Sequence, residues 1–170
     1  VGKLWHSRLT YGQVCTAETQ AYLNFSQVTS HMHRERPADA EERLAWVRTY
    51  RNPYREWIGA QIRADGWAYA AAGNPELAAE LAWRDAALSH VKNGIYGEMF
   101  AAAMIAAAFV EPDPAAIVAA GLAQIPARCR LAEAVVQAVE MARTATSQTD
   151  LVSRLWDALG HYHPVHTINN

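Results

Sequence analysis

The sequence has few cysteines, a nearly balanced charge and no long apolar run. Its 170 residues include only Cys15 and Cys129, and neither belongs to a CxxC pair, so no disulfide framework is indicated. Two isolated thiols are typical of a reducing compartment, and we expect a cytoplasmic location. The net charge of -2 gives no reason to expect nucleic acid or a membrane surface as a partner. The longest apolar run, from Met99 to Val110, is too short to span a bilayer.

Several signatures of catalysis and export are also missing. The chain contains no Asp-x-Asp, Asp-Asp, GxSxG, HExxH or P-loop string. The absence of paired carboxylates removes the usual arrangement for glycosidase or two-metal chemistry. No apolar leader follows Val1, so we expect no secretion signal.

Helix signals dominate what is present. Hydrophobic residues make up 51% of the chain, and no strand-like alternation or hairpin signal appears. Three pairs place an N-cap residue before a proline at the first helical position: Asn52-Pro53, Asn74-Pro75 and Asp113-Pro114. Each pair predicts a helix start. Further helices are predicted over about residues 16–28, 38–47 and 149–159. A helix that carries Met99, Met104 and Phe109 is predicted after Gly94, and a long helix with Leu131, Val135, Val139 and Ala142 in one stripe after Pro126.

The alanine-rich run from Met99 to Val110 is apolar on nearly every side, which predicts a central helix. We therefore predict an all-α, multi-helical fold in which residues 1–170 form a single helical segment. We expect this segment to be part of a larger domain. Apolar helix faces left uncovered would then favour self-association.

The segment 89–97 is the first candidate binding site. It joins two predicted helices and contains His90, Asn93, Gly94, Tyr96 and Gly97. Free backbone N–H groups at the start of a helix, beside a histidine and a lysine, suit a phosphate group. The alternative is an ordinary connection between helices with a capping Asn-Gly pair.

Three other segments carry residue types suited to binding. Three histidines in residues 161–166 are candidates for a metal site, with a loop as the alternative. Arginines alternate with aromatics in residues 48–57, which suits a phosphate or a stacked base; the alternative is a solvated helix entry. Arg63 and Asp65 lie among apolar residues, so each needs a partner, and the alternative to a binding role is a structural ion pair.

Short strings of residues that match those of a known protein family occur over most of the chain from about Leu9 onward. They are Tyr50 to Asp65, Asn74 to Ala78, Arg84 to Ala86, Ser89-His90, Asn93 to Phe100, Gly121 to Pro126 and His163 to Asn170. Together these strings resemble the ADP-ribosylglycohydrolase family, which also contains the J1-type crystallins.

The resemblance implies an all-helical hydrolase that cleaves the glycosidic bond between ADP-ribose and a protein side chain or small acceptor. It also implies a pair of Mg²⁺ ions that bind the ribose and activate a water molecule. In the family, the ligands come from Gly-Asp-Ala-x-Gly, Thr-Asp-Asp and Asp-x-Asp strings, and this chain has none of them. We therefore expect ADP-ribose or an ADP-ribosylated substrate as the partner, no metal bound by this chain, and no activity from the chain alone.

His90 carries the resemblance at the candidate site. It matches the histidine of the family's Thr-His motif, with Ser89 in place of the threonine, which implies a place in the wall of the ADP-ribose pocket. Asn93, Gly94, Tyr96 and Gly97 follow on the same segment and are expected to be ligand-binding neighbours; no catalytic residue is assigned. The alternative function is a non-catalytic, crystallin-like helical module that binds a partner or itself.

Overall fold

A computed structural model describes residues 16–29 and 39–169. These residues form α1 (Ala17–Thr29), α2 (Ala40–Thr49), a 3-10 helix (Gln61–Arg63), α3 (Ala64–Ala70), α4 (Pro75–Ala86), α5 (Asn93–Ala108), α6 (Pro114–Leu122), α7 (Arg130–Thr144) and α8 (Gln148–Leu159). The part of the chain described contains no strand, only one isolated bridge between Trp57 and His166. The all-α prediction is confirmed. None of these helices is long and apolar enough to cross a membrane.

Helix α5 lies at the centre of the fold, as its apolar sequence predicts. It packs against α3, α4, α6 and α7 and against the 3-10 helix. Four of its alanines are buried: Ala102, Ala103, Ala106 and Ala107. Because alanine side chains are small, neighbouring helix backbones can approach α5 closely. The site described below is built at the N-terminal end of this helix.

Two of the three predicted cap–proline pairs start helices. The side chain of Asn74 accepts a hydrogen bond from the N–H of Leu77 at 3.1 Å and begins α4. Asp113 caps α6 in the same way, with the proline at the first helical position. Gly73, with φ of +80°, turns the chain between α3 and α4, and its N–H donates to the carbonyl of Ala106.

The helix start predicted at Asn52-Pro53 is wrong. Residues 52–60 form turns instead, and helical structure starts only at Gln61. Two features of the backbone explain the difference. Arg51 has a positive φ of 48°, which redirects the chain just before the proline. The N–H of Ile58 donates to the carbonyl of Val165 at 2.8 Å, a bond to a distant segment that a helix would not allow.

Asn52 has a different role from a helix cap. Its side chain is fully buried, and its amide nitrogen lies within hydrogen-bond distance of three carbonyl oxygens. These belong to Ala17 at 3.2 Å, Arg48 at 3.1 Å and Ser89 at 3.1 Å. One side chain therefore joins the start of α1, the end of α2 and the connection between α4 and α5.

The role of Asn52 can be tested by comparing it with Asn74, which also precedes a proline. We expect Asn52→Ala to lower the free energy of unfolding by about 3 kcal/mol, because buried carbonyls lose their donor. Asn74→Ala removes only an exposed cap and should lower it by about 1 kcal/mol. Urea unfolding of the two variants measures both values, and equal losses would contradict the assignment.

Candidate functional site

The candidate segment 89–97 connects α4 to α5 and is largely buried. Ser89 and His90 have no exposed surface. The N–H of His90 donates to the carbonyl of Ala86 at 2.8 Å, and its Nδ1 lies 2.8 Å from the hydroxyl oxygen of Ser89. The N–H of Val91 donates to the carbonyl of Arg55. These bonds hold the imidazole with its Nε2 atom 3.8 Å from Glu18 Oε1.

The prediction of free N–H groups at the start of α5 is wrong. The N–H of Gly94 donates to the carbonyl of Val91, and those of Ile95 and Tyr96 donate to the carbonyl of Lys92, each at 3.0 Å. Lys92 is the N-cap residue of α5, with a positive φ of 48°, and its carbonyl accepts both bonds. A phosphate at this helix start would have to break existing hydrogen bonds.

Asn93 is engaged at both ends of its amide. Its nitrogen donates to Glu56 Oε2 at 2.8 Å, and its oxygen accepts from the N–H of Leu131 at 3.0 Å. Glu56 also pairs with Arg130 at 2.6 Å. Asn93 therefore joins the start of α5, the start of α7 and the turn segment 52–60.

The two glycines are required by close packing. A Cβ atom at Gly94 would lie 2.5 Å from the carbonyl oxygen of Arg55, and one at Gly97 would overlap the side chain of Thr167. Tyr96 is half-buried and packs against a hydrophobic cluster that includes Leu131. The five residues predicted to bind ligand therefore lie together at one end of α5, where Asn93 and the glycines have clear packing roles.

A second set of residues, next to His90, forms a buried polar cluster. We call Glu18, Arg63, Asp85, His90 and Glu98 the Arg63 cluster. Arg63 Nε donates to Asp85 Oδ2 at 2.8 Å, and its Nη1 pairs with Glu18. Its Nη2 lies 3.9 Å from Glu98 Oε2. His90 Nε2 lies 3.8 Å from Glu18 Oε1. Helices α1, α4 and α5 thus each contribute one carboxyl group to the same guanidinium.

Burial sets the charges in the Arg63 cluster. Burial raises the pKa of Glu98 to about 9, and the charge of Asp85 adds to the rise while that of Arg63 opposes it. Burial lowers the pKa of His90 to about 4, although the charge of Glu18 opposes the shift. At neutral pH the cluster therefore holds a protonated Glu98 and an uncharged imidazole.

Several buried atoms of this region lack hydrogen bonds. His90 Nε2, the side-chain oxygen of Gln61 and both carboxyl oxygens of Glu98 make none of good geometry, although Asp85 and Trp67 lie beside Glu98. Unsatisfied buried polar atoms are rare in native proteins and are often completed by a ligand or a water molecule. The cluster therefore has unused hydrogen-bonding capacity.

The sequence contained two signals for this cluster. Glu98 is the only charged residue in the sixteen residues of α5. The string Thr16-Ala17-Glu18 keeps the threonine and one acidic residue of the Thr-Asp-Asp string expected from the resemblance, with Ala17 between them. Arg63 has the ion-pair partners that the sequence predicts it to need, whereas Asp65 is exposed on α3.

In the histidine segment 161–166 and the arginine segment 48–57, several side chains contact other parts of the protein. His163 stacks on Trp57 with ring centroids 5.4 Å apart, and His166 stacks on Tyr162 at 5.1 Å. Within residues 16–29 and 39–169 no three histidine, cysteine or acidic side chains are grouped so as to hold a metal, so the histidine site is wrong. In the arginine segment, Arg48 donates to the carbonyl of Ala87 and Arg55 to that of Asn52.

Comparison with known proteins gives one match. A family model described as ADP-ribosylglycohydrolase matches residues 5–169, nearly the whole chain. No curated protein and no solved structure matches.

The raised pKa of Glu98 predicts a pH-dependent stability. Between about pH 4.5 and 9 the folded protein keeps a proton that the unfolded chain releases, so stability falls with rising pH, by about 1.4 kcal/mol per pH unit. His90 has the opposite effect from pH 6.5 down to about 4, because only the unfolded chain is protonated there. The fall should therefore be clearest between pH 6.5 and 9.

Glu98→Gln keeps a neutral side chain at every pH and should abolish this fall, which urea unfolding across the pH range measures. Glu80→Gln, in an exposed pair with Arg84, is the control and should leave the wild-type profile unchanged. A Glu98→Gln profile that falls as steeply as that of the wild type would show that Glu98 is ionised in the fold.

Proposed function

Because the chain belongs to the ADP-ribosylglycohydrolase family, we propose that His90 and the Arg63 cluster form one wall of a pocket that binds ADP-ribose. The observation that carries the proposal is the buried imidazole of His90. Its Nδ1 lies against Ser89, and its Nε2 has no hydrogen bond. A ligand hydroxyl that reached Nε2 would supply the missing bond.

Within the cluster, Glu18 and Arg63 are the most exposed side chains. The side chains of Glu18 and Arg63 keep 16% and 30% of their surface exposed, whereas those of His90 and Glu98 keep none. A ligand would therefore approach past Glu18 and Arg63. Ribose hydroxyls suit this entrance, because a hydroxyl can donate to a carboxylate and accept from a guanidinium or an imidazole.

Hydrolysis by this chain alone is not part of the proposal. The carboxylates of Glu18 and Asp85 are committed to Arg63, and Glu98 is protonated at neutral pH. None of the three is left as an exposed base that could activate a water molecule. The chain would thus contribute recognition of ADP-ribose, the substrate class of the family.

A binding experiment tests the proposal. Isothermal titration calorimetry should detect ADP-ribose binding to the chain, and His90→Gln should weaken it at least tenfold through the loss of one hydrogen bond, about 1.4 kcal/mol. Arg84→Gln changes an exposed residue that pairs with Glu80 and does not belong to the cluster, and it should bind like the wild type. Thermal melts establish that each variant folds. A wild-type chain that does not bind ADP-ribose would sink the proposal.

A second candidate function is self-association through an exposed apolar patch. Tyr69 and Phe109 meet edge to face with centroids 6.1 Å apart, and Val110 lies next to Phe109. Their exposed fractions are 60%, 57% and 71%. Contiguous exposed aromatic and aliphatic side chains are typical of interaction surfaces.

The mass of the protein in solution tests whether it self-associates. If the patch mediates association, light scattering coupled to size exclusion should give a mass above 18.8 kDa that returns to the monomer value in Phe109→Ser. Leu44→Ser, which removes an exposed leucine from α2, should not change the mass. A monomeric wild-type chain at high concentration would exclude this function.

A further inference from the structure

Arg63 is contacted by three carboxyl groups, one for each nitrogen of its guanidinium. Nε bonds Asp85, Nη1 pairs with Glu18, and Nη2 faces Glu98 at 3.9 Å. The guanidinium is planar and presents its donors in a fixed fork, so the three carboxyl groups are spread around its edge. A divalent metal ion needs oxygen ligands that converge on one point at about 2.0–2.6 Å. The geometry of the cluster matches a guanidinium and not such an ion.

The attachment of Arg63 to the chain also fixes this cation in place. Nη1 donates to the carbonyl of Gly59 at 2.9 Å, four residues earlier. Arg63 itself ends the 3-10 helix and adjoins α3. The charge of the guanidinium is permanent, since the charge and hydrogen bond of Asp85 and the charge of Glu18 outweigh burial and keep the pKa of Arg63 raised.

A second observation points to a ligand on this cluster. His90 Nε2 is buried without a hydrogen bond, and the fully buried carboxyl group of Glu98 has only Asp85 and Trp67 as hydrogen-bonding neighbours. His90 is equally buried, and its Nε2 lies on the Glu18 side of the cluster. The cluster therefore has its positive charge already and lacks hydrogen-bonding partners for neutral polar atoms. An uncharged polyhydroxyl group such as ribose would supply these partners without adding a charge.

We propose that Arg63 is the resident cation of the cluster, so that this site binds its ribose ligand without a divalent metal. The identity of the ligand rests on the proposed function. The identity of the cation rests only on the contacts of Arg63 with the three carboxyl groups. In the wild-type chain the carboxylates are paired with Arg63. If the charge of Arg63 is removed, they should attract a divalent cation instead.

The first experiment uses ADP-ribose. Calorimetric titrations of the 170-residue chain are run in 5 mM MgCl₂ and in 5 mM EDTA. We expect dissociation constants that agree within about twofold. Binding that weakens tenfold or more in EDTA would overturn the inference while leaving the proposed function intact. Absence of binding in both buffers would overturn the proposed function and the ligand part of the inference together.

The second experiment is independent of ADP-ribose and uses Mn²⁺ alone as the probe. Electron paramagnetic resonance counts bound Mn²⁺, and thermal melts follow stability with and without EDTA. The wild-type chain should bind no Mn²⁺ and melt at the same temperature in both conditions. Arg63→Gln should melt lower, bind Mn²⁺ and recover part of the lost stability when Mn²⁺ is present.

Two further variants keep the result decisive. Arg63→Lys restores a positive charge and should again exclude Mn²⁺, and Arg84→Gln disrupts an exposed pair with Glu80 and should behave like the wild type. Mn²⁺ bound by the wild-type chain and lost in Asp85→Asn would overturn the inference even if Arg63→Gln failed to fold. A folded Arg63→Gln chain that binds no Mn²⁺ would also overturn it.

Discussion

The interaction on which the rest of this structure depends is the contact of Arg63 with three carboxyl groups. Glu18, Asp85 and Glu98 lie on α1, α4 and α5, so a single guanidinium joins helices that are distant in sequence. A buried charge is tolerated only when it is paired and hydrogen-bonded. The positions of these three helices are therefore tied to one side chain, and His90 is placed against the same group.

The cluster combines a structural role with the features of a binding site. Ion pairs hold Glu18 and Asp85, whereas Glu98 and His90 stay neutral because burial disfavours their charged forms. Neutral groups with unused hydrogen-bonding capacity suit an uncharged sugar. Membership in the ADP-ribosylglycohydrolase family is the reason for proposing ADP-ribose, which presents ribose hydroxyls, as the ligand.

The sequence predicts those helix starts that depend only on residues adjacent in the chain. Asn74-Pro75 and Asp113-Pro114 start helices because cap and proline act within one turn. Asn52-Pro53 has the same local pattern, but its amide is recruited by carbonyls from α1 and the α4–α5 connection, which no local pattern reveals. The Arg63 cluster was found only in part for the same reason. Arg63 was expected to need a partner, but nothing near it in the sequence identifies Glu18 or Glu98.

We propose that Arg63 takes the position of the cation in an ADP-ribose site. The most direct measurement is a crystal structure of the chain with ADP-ribose and MnCl₂, with anomalous data collected at the manganese edge. We expect ribose density against His90 and Arg63 and no anomalous peak among the carboxylates of the cluster. A manganese peak coordinated by Glu18, Asp85 or Glu98, with Arg63 displaced, would contradict it.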